Sequence, residues 1–389
     1  MTTIASPRAD LALRGGTPVT ASPIPFMAPK LHEEDIQAAI GVLRSGMLRA
    51  AGKCAELETR FAAMSEARHG FTCANGTCAL QLAYEPLFGP GDEVLVPAWT
   101  YIATVSMVAA RGATPVFCDA LPDTFQIDPG DAARKITART RAIACTHLYG
   151  CPVDIDAIQA LAGVHRLRVV YDAAQSHLAR YKGRGVGAFG DAVTYSFYAT
   201  KNLGTGEGGL LTCNDDALAR EIGLLRSHGE TDKYLHERVG YNYRMNDITG
   251  AIGCSRLDRL ERETQVRESV AARYDAIIAG VQGLEPPRVT EGARCVWHLY
   301  TVRMDPERFT CTRDEFCAAL KSEGVPTAVH YPRATCDQPA LARWNRRDTP
   351  VASALTHRVF CLPMHHELTQ AQIDQVGESL RKVALAFRR

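Results

Sequence analysis

The chain has 389 residues, 46% hydrophobic and 22% charged, with 44 basic against 43 acidic side chains and a formal charge of +1. That length accommodates more than one domain, and the balanced charge gives no electrostatic case for nucleic acid or an anionic membrane surface as partner. No stretch approaches the ~18–20 uninterrupted apolar residues of a spanning helix, and the first twenty residues lack the apolar centre of a secretory leader, so a cytoplasmic protein is expected.

Residues 1–25 read as a polar, proline-containing arm. Leu57, Phe61 and Met64 mark an early amphipathic helix. From about Gly70 to Cys213, β-like runs at 93–96, 114–118, 142–146, 168–171, 192–195 and 210–213 alternate with helical ones. This predicts an α/β fold, a mostly parallel sheet between helices. Ile248, Ile252, Val266, Val270, Tyr274 and Ile277 predict a long connecting helix. A smaller C-terminal α+β domain follows, with a strand over 297–304 and helices over 313–322 and 370–385. The expected division is an arm at 1–25, a large domain at 26–255, and a connector with small domain at 256–389. The thirteen cysteines include Cys118, Cys145, Cys213 and Cys361 within apolar segments and form no Cys-x-x-Cys pair. Buried reduced thiols are expected, with neither disulfides nor a metal site.

Four segments carry chemistry. Asn75-Gly76-Thr77 makes a tight turn into a helix, where the N–H groups of Gly76, Thr77 and Cys78 form a ready anion site. The strand 94–96 leads into a loop bearing Trp99 and Tyr101; one aromatic could lie flat on a heteroaromatic ring, with Trp99 the better core residue. A buried strand ends at Asp172, where an α/β domain turns a carboxylate toward its ligand crevice, although a helix N-cap would also suit an Asp there. Lys201 follows 29 residues later, where an apolar run delivers Ser196 and then the lysine into the turn Gly204-Thr205-Gly206-Glu207-Gly208-Gly209. A buried ammonium loses hydration and its pKa falls, leaving a neutral amine able to attack an aldehyde; the plain alternative is a snorkelling surface lysine.

With further landmarks in the same order, the chain resembles the DegT/StrS family of sugar and cyclitol aminotransferases. These landmarks are Ser45-Gly46, His147-Leu148-Tyr149-Gly150, Asp172-Ala173-Ala174-Gln175, Gly240-Tyr241-Asn242-Tyr243-Arg244-Met245, Trp297-His298-Leu299-Tyr300, His330-Tyr331-Pro332 and Leu362-Pro363-Met364-His365. The resemblance runs from about Leu11 to the C-terminus. It implies the aspartate-aminotransferase-like fold, with a seven-stranded-type sheet, and pyridoxal 5'-phosphate (PLP) as cofactor, passing through pyridoxamine 5'-phosphate between half-reactions. By the same resemblance Lys201 would bear the Schiff base and shuttle the proton, Asp172 would pair with the pyridine nitrogen, and Gln175 would lie by the ring hydroxyl. Tyr101 would stack on the ring, and Gly76, Thr77 and Ser196 would hold the phosphate. Asn242 would reach the phosphate of a partner subunit, implying a homodimer with shared sites. His147 and His330 would line the substrate side. Arg49, in Arg49-Ala50-Ala51-Gly52 where the family often has a Thr-Thr-Gly run, would touch the sugar. Ser176-His177-Leu178 and Asn246 also depart from the family pattern and leave the substrate open.

The resemblance implies transfer of an amino group from Glu or Gln to a keto sugar, with a nucleotide-linked sugar the leading expectation. Three alternatives stand beside it: a ketocyclitol acceptor of the aminoglycoside type, other PLP chemistry on the same scaffold, and a non-catalytic regulatory protein. Lys201 stands where a dehydratase branch of the family carries His, and so favours transamination.

Overall fold

In the computed structural model, which describes residues 10–389, the apolar runs of the first half pair into one seven-stranded sheet. Its strands are β1 (His69–Cys73), β2 (Glu93–Pro97), β3 (Thr114–Cys118), β4 (Thr140–Thr146), β5 (Arg168–Asp172), β6 (Ala192–Ser196) and β7 (Gly209–Cys213), in the spatial order β1-β7-β6-β5-β4-β2-β3. Strands β2 to β6 pair in parallel, whereas β7 runs antiparallel to both β1 and β6. The parallel strands are apolar on nearly every residue because both faces are covered. Val94, Val96, Ala144 and Val170 enter one core; Leu95, Ile143, Cys145, Val169 and Tyr171 enter the other. Strand β1 carries no apolar run and was not among the expected strands. Pairing with β7 places it, and the Glu58 carboxylate accepts hydrogen bonds from Thr72 N–H and Oγ1–H at 2.8 and 2.7 Å.

Around the sheet lie α1 (Glu33–Ser45), α2 (Gly52–Met64), α3 (Gly76–Tyr84), α4 (Ile102–Ala110), α5 (Ile155–His165) and α6 (Asp216–Arg226). The expected connector is one 33-residue helix, α7 (Asp247–Ala279), and residues 255 and 256 fall within it. Leu257 and Leu260 pack into the large domain's second core, while Val270, Tyr274 and Ile278 pack into the C-terminal core. Val266, expected on the apolar stripe, is 37% exposed.

The C-terminal unit holds a three-stranded sheet of β8 (Leu284–Glu285), β9 (Tyr300–Met304) and β10 (Val359–Leu362), in that order. Phe316 and Leu320 of α8 (Arg313–Ser322) and Val376 and Leu380 of α9 (Gln370–Phe387) complete its core. The strand expected from residue 297 begins only at Tyr300. Trp297 takes a left-handed φ of 49°, and the chain turns so that the N–H groups of Val296 and Leu299 reach the carbonyls of Gly150 and Tyr149 at 2.9 and 3.2 Å. That turn brings residues 296–299 against the carboxyl end of β4. Of the expected arm, residues 1–9 lie outside the described residues. Leu11 and Ile24 are buried in the C-terminal core, and Glu323 accepts from Ala12 and Val19 N–H at 2.9 and 3.0 Å. All thirteen cysteines are free thiols, and among the described residues no helix is long and apolar enough to cross a membrane.

One carboxylate ties α7 to the large domain. Helix α2 has no side-chain cap of its own; Asp247, 3% exposed at the start of α7, accepts from Ala51, Lys53 and Cys54 N–H at 2.8, 3.0 and 3.0 Å. Burial opposes its charge, but these donors outweigh it and hold the carboxyl below its ordinary value. Asp247→Ala should therefore lower stability by about 2–4 kcal/mol in urea unfolding monitored by far-UV circular dichroism. The difference should be full above pH 5 and shrink as the pH falls through the carboxylate range, since a depressed pKa stabilises only the ionised form.

Candidate active site

Strands β2, β4, β5 and β6 all end at one edge of the sheet, and in an α/β domain the crevice forms beyond those carboxyl ends. Asp172, the last residue of β5, is 4% exposed and lies on the face that Val170 presents to the first core. Its Oδ2 accepts from Thr104 Oγ1–H at 2.6 Å and its Oδ1 from Ala174 N–H at 3.0 Å. Burial raises its pKa, against the lowering effects of these two donors and of the positive charge on Lys201.

Lys201 lies in the loop after β6. Phe197 is buried, its N–H donates to Gly208 O, and its own carbonyl accepts from Thr205 N–H, both at 2.7 Å, closing the loop. Lys201 N–H turns back onto Tyr198 O at 2.8 Å. The side chain keeps partial exposure, yet burial brings its pKa down to about 8, with the Asp172 charge acting the other way. Three histidines share its electrostatic surroundings. His177 and His330 are pushed down to about 3 and about 4, and His298 well below its ordinary value, chiefly by burial and further by Lys201. His177 Nε2–H donates to the Ser196 carbonyl at 2.8 Å, and His298 Nδ1 lies 3.3 Å from Asn202 Oδ1.

Beside Ser196 lies the start of α3. Asn75 is its N-cap, with Oδ1 accepting from Cys78 N–H at 2.9 Å. Gly76 and Thr77 open the helix, so their N–H groups have no partner in its ladder. A Cβ on Gly76 would lie 2.8 Å from Ser196 Cβ, and one on Gly209 would lie 2.4 Å from the Asn75 carbonyl. Two bare glycines thus let the helix start meet the end of β6, setting N–H donors and the Ser196 hydroxyl side by side. This donor set suits a phosphate, and an unpaired amine with a buried carboxylate suits the reactive end of a pyridoxal ring. The residues present fit PLP.

Tyr101, 57% exposed at the N-terminus of α4, lies with its ring 6.3 Å from that of Tyr331. Trp99 is buried and its Nε1–H donates to Tyr149 Oη at 2.9 Å; Tyr149 in turn donates to the His330 carbonyl. Gln175 Oε1 accepts from Tyr149 N–H at 2.6 Å and its Nε2 donates to Tyr331 Oη at 3.1 Å.

The structure therefore brings Gly76, Thr77 and Ser196 together as one group, and Asp172, Lys201 and His330 as another. His147 is placed differently. Its ring stacks on Tyr171 at 4.8 Å, on the sheet face opposite Asp172, because alternate residues of β5 point to opposite cores; it is fully buried and held near 3 by that burial. It does not join the wall of the crevice. Arg49 is exposed in the α1–α2 loop with no hydrogen bond or ion pair among the described residues. Asn242 is exposed, its backbone bridged to Ser227, and it does not reach this chain's own cradle through any hydrogen bond. Thr104, Tyr149, Tyr331, Asn202 and His298 were not among the expected site residues. Thr104 stands three residues after Tyr101, the turn of helix that carries it back over β5.

Residues 29–381 match the model of the DegT/DnrJ/EryC1/StrS aminotransferase family. The chain is 38% identical to the pleiotropic regulatory protein of Geobacillus stearothermophilus, with 90% of this chain and 94% of that protein covered. It is 41% identical to UDP-2-acetamido-2-deoxy-3-oxo-D-glucuronate aminotransferase of Pseudomonas aeruginosa, with 87% and 93% covered. Among solved structures, S. venezuelae DesV in complex with a ketimine intermediate matches with a TM-score of 0.90 and 37% identity, over 94% of this chain and 99% of that one.

With a pKa of about 8, roughly a fifth of the Lys201 amine is neutral at pH 7.4, against about a thousandth for an ordinary lysine. In protein stripped of cofactor, reductive methylation followed by peptide mass mapping should label Lys201 ahead of the other lysines, with a rate midpoint near pH 8. A midpoint at 10 or above would show the amine to be fully solvated.

Proposed function

We propose that this chain, which belongs to the DegT/DnrJ/EryC1/StrS aminotransferase family and is a PLP-dependent transaminase, moves an amino group from glutamate or glutamine to a nucleotide-linked keto sugar. The observation that carries the reading is the pairing of a partly buried, weakened base at Lys201 with a buried carboxylate at Asp172, on the crevice edge of the sheet. PLP, when bound, supplies an electron sink that stabilises negative charge at the amino-bearing carbon.

The residues divide the remaining work. The N–H groups of Gly76 and Thr77 and the Ser196 hydroxyl would hold the phosphate. Asp172 would keep the ring nitrogen protonated, Gln175 would serve the ring hydroxyl, and Tyr101 would help hold the ring. In each half-reaction Lys201 would move one proton between the amino-bearing carbon and the cofactor, taking it from one and delivering it to the other; a base near 8 can both accept and release a proton at neutral pH. His330 remains neutral beside it, so it adds a polar wall without a competing positive charge. The UDP-keto-sugar acceptor named for the Pseudomonas relative supports the substrate class. The relative named as a regulator shares the family, but Lys201, Asp172 and the phosphate cradle are all present in this chain, which supports catalysis.

The same reading includes a homodimer. Leu43, Met47 and Leu48 leave 53, 47 and 49% of their surface exposed near the Arg49 loop, and Asn242 faces outward. A second copy covering that apolar surface would carry Asn242 to its partner's phosphate, where a doubly charged anion needs more donors than one helix start supplies.

Two experiments test these claims. Glutamate or glutamine added to the PLP-loaded protein should bleach the visible band, and a panel of nucleotide-linked keto sugars and ketocyclitols, read by mass spectrometry, should restore it with one acceptor class; restoration by ketocyclitols alone would replace the sugar reading. Lys201→Ala should lose several orders of magnitude in kcat, and mixing it with an inactive Asn242 variant should regain activity through hybrid dimers. Proven subunit exchange with no regained activity would show that each chain builds its site alone.

A further inference from the structure

Behind Asp172 lies a group of side chains that the proposed chemistry does not use. Thr104 of α4 donates to its Oδ2, and Thr104 Oγ1 lies 3.3 Å from both Thr100 Oγ1 and Thr146 Oγ1, which are themselves 2.7 Å apart. Thr335 Oγ1–H donates to the Thr100 carbonyl at 3.0 Å and fixes the loop that bears it. Thr100, Thr104, Thr146 and Thr335 are 3, 0, 5 and 2% exposed, so water does not compete for these bonds. Thr146 is the β4 residue in register with Asp172.

A hydroxyl has one proton to give and two lone pairs to receive with, and an ionised carboxylate only accepts. Thr104 therefore spends its proton on Asp172 and can only accept from the other two threonines. Between Thr100 and Thr146 one must donate to the other, and the receiver's proton then goes to Thr104. In either order the protons run one way, and the run ends on Asp172. Aligned hydroxyls polarise one another, which strengthens the terminal bond. Asp172 needs that support, because burial drives it toward the neutral acid, which could not serve as the anion opposite a protonated ring nitrogen.

We propose that Thr104 is a positioning residue of this enzyme, and that its hydroxyl, oriented by Thr100 and Thr146, keeps the Asp172 carboxylate ionised and fixed in direction for the cofactor's ring nitrogen. The inference rests on the reading of Asp172 given above. A purely structural role for the three hydroxyls would cost stability when they are removed. It would not alter the protonation of Asp172 or the electronic state of the bound cofactor.

The test compares Thr104→Val, Thr104→Ala, Thr104→Ser and Thr100→Val in the full-length PLP-loaded protein. The readouts are thermal midpoint, cofactor dissociation by equilibrium dialysis, the visible absorption band against pH, and kcat and KM against pH. Thr104→Val removes a donor to a charge, so cofactor affinity and kcat should each fall on the order of ten- to a hundredfold, with KM for the keto acceptor nearly unchanged. Losing that donor raises the Asp172 pKa, so the acid limb of the kcat profile and of the absorption titration should move up by about one pH unit. Thr104→Ser keeps the proton and should restore all three readouts, whereas Thr100→Val, equally buried but one bond removed, should move them less for a similar thermal loss. If Thr104→Val is insoluble, Thr104→Ala against Thr104→Ser carries the same contrast. A fall in thermal midpoint with unmoved pH profile and cofactor affinity, or equal effects of Thr104→Val and Thr100→Val, would overturn the proposal. Wild-type protein that takes up no PLP would overturn the underlying reading as well, a result visible before any variant is made.

Discussion

The site depends on keeping a buried carboxylate charged. Taking an ion out of water costs several kcal/mol even after the protein relaxes around it, and Asp172 recovers that from one hydroxyl, one backbone N–H and the field of Lys201. The same burial works in opposite directions on the two partners. It raises the acid and lowers the amine, so each draws the other back toward its charged form. Burial, only partly offset by the Asp172 charge, brings the Lys201 amine down to about 8, where a freely solvated lysine would stay almost wholly protonated at neutral pH.

The fold supplies that environment through a simple constraint. Parallel strands covered on both faces must be apolar throughout, so polar groups gather where the strands end. Thr146, Asp172 and Ser196 close β4, β5 and β6, and the helix starts of α3 and α4 are laid over them. The C-terminal unit contributes from the other side. The turn at Trp297 carries His298 to Asn202, and the segment at 330–331 sets Tyr331 against Gln175 and Trp99. One continuous helix, α7, joins the two units: its first residue caps α2 and its later turns anchor the C-terminal core.

Much of this was legible in the residues. Six of the seven sheet strands stood out because their apolar runs are short, bounded by turns and buried on both sides. The seventh, β1, did not, since His69-Gly70-Phe71-Thr72-Cys73 owes its conformation to β7 and Glu58 rather than to its own composition. Lys201, Asp172 and the Asn75-Gly76-Thr77 turn could be picked out because each has a local reason to exist in its place. Thr104 could not, for a threonine in an apolar helix looks like any other buried small residue until β5 is laid beneath it. His147 shows the converse. The family resemblance makes it a site residue, but its ring stacks on Tyr171, on the sheet face away from Asp172.

The three histidines around Lys201 carry a consequence of their own. His177, His298 and His330 are held neutral by burial, so lowering the pH from 7 to 5 leaves each of them uncharged. Over that interval the imidazoles contribute no change of charge, and what changes there belongs to Lys201 and Asp172. These histidines are electrically quiet in the range where imidazoles elsewhere act as switches. Acidification over that interval reaches the crevice through Asp172 and Lys201, while the three imidazoles stand by unchanged.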